Sequence, residues 1–215
     1  MSKVRAHAFT VSLDGYGAGP NQSVSDPLGV GGQQLHAWAV KTRTFQRVLF
    51  NSDSGETGVD DDFTARSFEN IGAYILGRNM FGPIRGPWPD DTWKGWWGDD
   101  PPYHCDVFVL THHARNSVTM AGGTTFHFVT DGIESALERA KVAANERDVR
   151  IGGGVATIRD YLKARLIDEM HVAVAPILLG SGENLWAGLD VDALGYACTH
   201  YTSTPLAAHY ILTRS

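Results

Sequence analysis

Cysteine is scarce in this sequence: Cys105 and Cys198 are the two in a chain of 215 residues. Neither stands in a metal-ligand spacing, and two thiols in so long a chain do not make a disulfide framework, so both read as reduced core residues. Long apolar runs are missing too. No stretch approaches the roughly 20 residues of a membrane-spanning helix, and the first residues, MSKVRAHAFTVSLDG, enter strand-like sequence without a leader-type segment, which points to the cytoplasm. Charge of one sign is not concentrated anywhere. The net charge is −6 with acids and bases interspersed, leaving no basic stripe for nucleic acid. The nine histidines show no H-x-x-x-H or H-x-x-E-H spacing, so a metal-dependent hydrolase is disfavoured and no metal ligands are assigned. What remains is an ordinary globular composition, 43% hydrophobic and 20% charged, read as one domain over residues 1–215.

The pattern along the chain alternates between strand and helix without repeats. Residues 4–13 read as a strand, followed by a glycine-rich loop and a helix in QQLHAWAVKT with Leu35, Trp38 and Ala39 on one face. FTARSFENIG reads as helical, AYIL and CDVFVLT as buried strands. Between Pro83 and Tyr103 five prolines and four tryptophans mark a structured but irregular excursion. TFHFVT is then a strand and DGIESALERAKVAANE a helix, with Asp131 and Glu134 at the spacing of a capping box. VRIGG leads into VATIRDYLKARL, where Val155, Ile158, Leu162 and Leu166 share a face. MHVAVAPILL, YACTHYTST and AAHYILTR are strand-like and close in an antiparallel hairpin. The expected architecture is α/β, a mostly parallel sheet with an antiparallel C-terminal edge.

Three strand ends carry polar chemistry. In RIGGGVATIRDYL, three glycines precede a helix start, where bare backbone and unpaired N–H groups suit a phosphate, although a tight turn without a ligand is an equal reading. Gly152, Gly154 and Thr157 give G-x-G-x-x-T, which departs from the dinucleotide fingerprint of the Rossmann fold in its last position and lies far too late in the chain; no Gly-Lys-Ser/Thr follows for a Walker loop. ILGRNMF places Gly77 and Arg78 where a strand meets a short helix. VFVLTHHAR ends a strand in Thr111, His112, His113 and Arg115. Ligands of open α/β sheets bind outside the carboxyl ends of the strands, so the three sites together suggest one ligand.

Taken in order, VSLDGY, ILGRNMF, VFVLTHHAR and IGGGVATIRDYLKARLIDEMHVAVAPILLGSGENLW resemble the dihydrofolate-reductase-like superfamily, in the branch that includes the C-terminal reductase domain of riboflavin-biosynthesis enzymes and stand-alone relatives. The resemblance covers nearly the whole chain and implies that fold. It implies that Gly152, Gly153, Gly154, Val155, Ala156 and Thr157 hold a cofactor pyrophosphate, and that Gly77, Arg78, Asn79 and Met80 contact a second phosphate region. Thr111, His112, His113 and Arg115 would then meet the adenosine ribose and its 2′-phosphate, with the nicotinamide near Thr10 and Val11. The arginines and polar donors suit an extra dianionic group, which favours NADPH over NADH.

Reduction of a C=N or C=O also needs a proton at the heteroatom, from a titratable donor or a held water. Asp14 is the first candidate, with Asp62 and His36 behind it; Asp-Gly is equally a common turn pair. Trp38 would face substrate across the cleft bounded by Asp14–Gly32. The helix QQLHAWAVK lacks the carboxylate with which dihydrofolate reductases bind pterin, and the chain has no zinc-deaminase motif, so the expected substrate is a small pterin-like, pyrimidine-like or other conjugated molecule. A non-catalytic protein that retains the nucleotide site is the alternative. The resemblance favours a homodimer, for which the tryptophan-rich excursion and MHVAVAPILL offer surface, unless those aromatics cover the protein's own cleft.

Overall fold

The computed structural model describes residues 2–82 and 85–215. Among these residues are eleven strands and six α-helices: β1 Val4–Ser12, β2 Tyr16–Ala18, α1 Ala37–Val40, α2 Arg43–Phe50, α3 Val59–Arg66, β3 Ile71–Gly77, α4 Arg78–Phe81, β4 Asp106–Leu110, β5 Val118–Thr119, β6 Thr125–Val129, α5 Ile133–Ala144, β7 Asp148–Gly153, α6 Val155–Lys163, β8 Glu169–Ala175, β9 Glu183–Asn184, β10 Tyr196–Ser203 and β11 Ala208–Arg214. Nine of the strands form one sheet in the order β10-β11-β8-β1-β7-β3-β4-β6-β5. Its centre is parallel and its C-terminal edge antiparallel, as the strand pattern predicts; the short β5 makes the other edge antiparallel too, which the pattern did not foretell.

One face of the sheet is covered by α5 and α6. Ile158 and Leu162 of α6 and Ala136, Leu137 and Ala140 of α5 pack on Val11, Ile75 and Ile151, because three- and four-residue spacing puts them on one helix face. Burial of such side chains stabilises by about 1.5–3 kcal/mol each relative to exposure. The opposite face is divided. Over β8 and β11, Trp38 and Phe63 pack with Ala173 and Ile211; over β3, β4 and β6, Phe81, Val107 and Phe126 pack with Trp88 and Trp93 of the excursion.

Several local expectations change. The first helix opens as a 3₁₀ turn over Gly32–His36 and is α-helical from Ala37 to Val40 alone. FTARSFENIG is split, since its last residues belong to β3, and the helix begins earlier, at Val59. A helix unforeseen in the sequence, α2, starts where Thr42 accepts the Phe45 amide on its hydroxyl. The predicted capping box is not formed: Gly132 is the N-cap, and Asp131 instead accepts from Ser135 and Arg139. Cys105 is half-buried, its thiol pushed up to about 11 by burial, and Cys198 is exposed, so neither is a core residue. β8 lies inside the sheet between β1 and β11 and offers no face to a second copy. Residues 83 and 84, where the excursion begins, lie outside the described residues; its described part carries no helix or strand.

Candidate active site

The parallel strands β1, β7, β3 and β4 end side by side, and their carboxyl ends bring the predicted motifs together. Gly153 and Gly154, joined by a cis peptide bond, end β7 and start α6. Gly153 has φ +127°, which favours glycine, and Phe9 of β1 and Met80 of α4 close around it. Among the described residues, no neighbouring atom comes within 4 Å of where a Cβ on Gly154 would be, and no side chain caps the α6 amides. The helix start is therefore open, with its dipole end and N–H groups available to an anion.

Beside it, Gly77 ends β3 and caps the four-residue α4. The Arg78 guanidinium stacks 3.7 Å above the Trp88 ring, and Arg115, from beyond β4, lies 5.0 Å from the same ring. Arg115 is almost wholly buried: its side chain is 1% exposed, Nη2 donates to the carbonyls of Asp91 and Trp93, and Nε lies 3.3 Å from the Asp91 carboxylate. Trp88 Nε1 donates to the His113 carbonyl at 2.9 Å. The excursion is thus strapped across both guanidiniums. Among the described residues, Nε and Nη2 of Arg78 and Nη1 of Arg115 have no hydrogen-bond partner although they are buried. Burial, and then the charge of Arg115, lowers the pKa of Arg78. Thr111 is buried and its hydroxyl accepts the His113 amide, while His112 points to solvent.

The remaining sequence candidates fall elsewhere. Thr10 and Val11 are buried in β1, on opposite faces; Thr10 Oγ1 accepts from Trp38 Nε1 at 3.0 Å. Trp38 is 1% exposed and stands edge-on to His209, so it supports the cleft from beneath. The Asp14 carboxylate is a loop staple: it accepts from the Ser12 hydroxyl and from the amides of Leu179 and Gly180, at 3.2 and 2.7 Å. The Ser12 bond, with those amides, holds its pKa below the ordinary carboxylate value. His36 is half-buried and pushed down to about 4 by desolvation, hence neutral near pH 7. Asp62 is exposed on α3. Sequence reasoning missed its neighbour Asp60, which lines a cavity of about 160 Å³ with Trp38, Thr42 and Thr204. It also missed Trp88 as the ring that both arginines approach. The concentration of tryptophans was visible, but nothing local showed which would stack on Arg78.

A sequence profile of the RibD C-terminal domain matches residues 4–210. A search of curated proteins returned no significant match. Among solved structures, a putative riboflavin biosynthesis protein from Shewanella sp. PV-4 is 20% identical with a TM-score of 0.59, covering 100% of this chain and 99% of its own. Dihydrofolate reductase from Enterococcus faecalis, complexed with NADP(H) and RAB-propyl, is 13% identical with a TM-score of 0.53, covering 99% and 96%. The diaminohydroxyphosphoribosylaminopyrimidine deaminase/5-amino-6-(5-phosphoribosylamino)uracil reductase of Thermotoga maritima is 12% identical with a TM-score of 0.56; all of this chain aligns to 57% of that protein. At these identities the similarity establishes the dihydrofolate-reductase-like fold.

Proposed function

Since this chain belongs to the RibD C-terminal domain family, we propose that it is an oxidoreductase that uses NADPH to reduce a small pterin-like, pyrimidine-like or other conjugated substrate. The observation that carries this reading is the Arg78–Trp88–Arg115 arrangement, in which two cations gather at one ring with buried N–H donors that have no partner among the described residues. Buried donors without acceptors are costly, and a dianion removes the cost. The site fits the cofactor: Arg78 and Arg115, with Asn79, Thr111, His112 and His113, would hold the 2′-phosphate and ribose. The open turn from Gly152 to Thr157 would hold the pyrophosphate, with Gly77 and Met80 beside it and Thr10 and Val11 toward the nicotinamide. When bound, NADPH supplies the hydride.

The chain's own residues orient and enclose. Phe9 and Met80 wall the Gly153 turn. Trp38 and Thr10 fix the floor through their hydrogen bond. With Asp14 ionised in its staple, His36 neutral and Asp62 in solvent, the reading assigns proton delivery to a water in the cleft. A homodimer in the cytoplasm completes it; the exposed Tyr201 and Tyr210 of the C-terminal hairpin are the surface available for the contact.

Fluorescence titration with NADPH and NADH tests the site. NADPH should bind at least tenfold more tightly, about 1.4 kcal/mol, and Arg78→Ala and Arg115→Ala should each erase that preference. Absence of saturable binding by either nucleotide overturns the proposal. Binding without turnover across pterin and pyrimidine substrates would identify a non-catalytic nucleotide-binding protein.

A further inference from the structure

Strand β1 changes its inward face halfway along. Val4 and Ala6 point to the α5/α6 core in its first half, whereas Phe9 and Val11 do so in its second. The cause is one extra residue: Ala6 pairs with Met170 but Phe9 with Val172, so two residues of β1 stand opposite His171. Ala8, at the bulge, has φ +54°. A one-residue slip exchanges the two faces of a strand, and here it sends Phe9 toward Gly153 and Thr10 toward Trp38.

The amide of Ala8 donates to His171 Nδ1 at 3.1 Å. That bond begins a buried chain. His171 Nε2 lies 3.0 Å from His209 Nδ1, and His209 Nε2 lies 2.8 Å from Asp60 Oδ1. A backbone N–H can only donate and an ionised carboxylate can only accept, so both ends are fixed and every proton between them is assigned. His171 is bare at Nδ1 and protonated at Nε2, and His209 is the same. Both rings are fully buried, and Phe63 stacks on each at 4.4 Å. Burial pushes His171 down to about 2, in keeping with a neutral ring. Thr204 donates to Asp60 and keeps it in place from the β10–β11 turn.

We propose that Asp60, His209 and His171 are positioning residues for the cleft: their hydrogen-bond chain locks the β1 bulge and so determines that Phe9 and Thr10 reach the reaction site. The proposal rests on the reductase reading for the identity of that cleft, but not for the chain itself. Two NMR readouts need no nucleotide. In ¹⁵N-labelled protein, long-range ¹H–¹⁵N spectra should show His171 and His209 as Nε2–H tautomers at pH 7, and the Ala8 amide should be protected from hydrogen exchange. His171 found as the Nδ1–H form or as an imidazolium overturns the proposal.

Substitutions then separate positioning from bulk. His171→Asn places an acceptor oxygen where Nδ1 was, whereas His171→Leu fills the space without one. The Asn protein keeps the acceptor for Ala8 but loses the bond to His209, so it should retain part of the Ala8 protection and bind NADPH at least about twofold more tightly than the Leu protein, which should lose protection altogether. Equal behaviour of the two overturns the proposal. Should the Leu protein fail to fold, His209→Ala breaks the chain one link further out; an unchanged His171 tautomer and unchanged Ala8 protection in it are likewise fatal. If wild-type protein does not bind NADPH, the reductase reading fails alone, and the tautomers and Ala8 exchange still decide the chain.

Discussion

The hydroxyl of Thr157, in the first turn of α6, occupies the space into which a side chain on Gly77 would project, with the Gly154 amide and Gly153 carbonyl close behind it. Strand β3 therefore approaches the glycine turn at backbone distance, which brings the Arg78 region against the α6 N-terminus. Gly77→Ala should cost about 1–3 kcal/mol through overpacking and weaken NADPH binding. Adding Thr157→Ala should recover part of the loss, because the methyl group then meets less resistance. Urea unfolding of the two single variants and the double variant measures the coupling, and strictly additive effects would refute the contact.

If Arg115 holds a phosphate as proposed, Asp91 should compete for it, since its carboxylate lies 3.3 Å from the guanidinium Nε and is 80% exposed. Asp91→Asn should leave stability nearly unchanged, as exposed ion pairs are weak, and tighten NADPH binding severalfold. A weaker complex in the same titration would show that Asp91 orders the arginine rather than competing for it.

Acid should destabilise the fold well above the pKa of ordinary carboxylates. Burial lowers His7 from 6.5 to about 4 and His36 similarly, so the unfolded chain takes up protons that the native protein refuses. Stability then rises with pH through this window and falls as pH drops below about 6.5. Glu169 adds a second loss in the same direction at lower pH. The hydrogen bond from His7, then those from Lys3 and Arg66, hold its carboxyl far below the usual range, and that contribution disappears once acid protonates the carboxylate. Urea midpoints measured from pH 8 to pH 4 should decline most steeply below 6.5. A flat profile would contradict the buried neutral histidines.

Asp14 binds the turn after β8 to the loop after β1 through its carboxylate and, by way of Asn184, its backbone carbonyl. Asp14→Ala should speed proteolytic cleavage around Leu178–Gly182 while NADPH affinity stays close to wild type. Unchanged cleavage would show that the staple does not hold the turn.

The apolar runs AYIL and DVFVL were readable as buried strands because a parallel sheet covered on both faces needs continuous hydrophobicity. The helix of RTFQRVLF passed unnoticed, since eight residues give barely two turns of periodicity and its N-cap, Thr42, looks like any loop threonine. Among the three consecutive aspartates Asp60, Asp61 and Asp62, composition cannot say which faces the sheet. The helix phase selects Asp60, and Asp62, the residue favoured from sequence, is left in solvent. Arg115 was visible as a basic residue after a strand, but its hold on the Asp91 and Trp93 carbonyls depends on how the excursion folds back.

The sequence by itself determined the alternation of strands and helices, the glycine turn before α6 and the order of the motifs along the chain, because each depends on contacts within a few residues. Only the tertiary structure decided which strand ends stand together, which tryptophan meets two guanidiniums, and that Asp60 meets His209 across 149 residues of chain. Those outcomes follow from strand order and from one extra residue in β1, and a register shift of a single residue, which leaves local propensities intact, exchanges the faces of everything downstream.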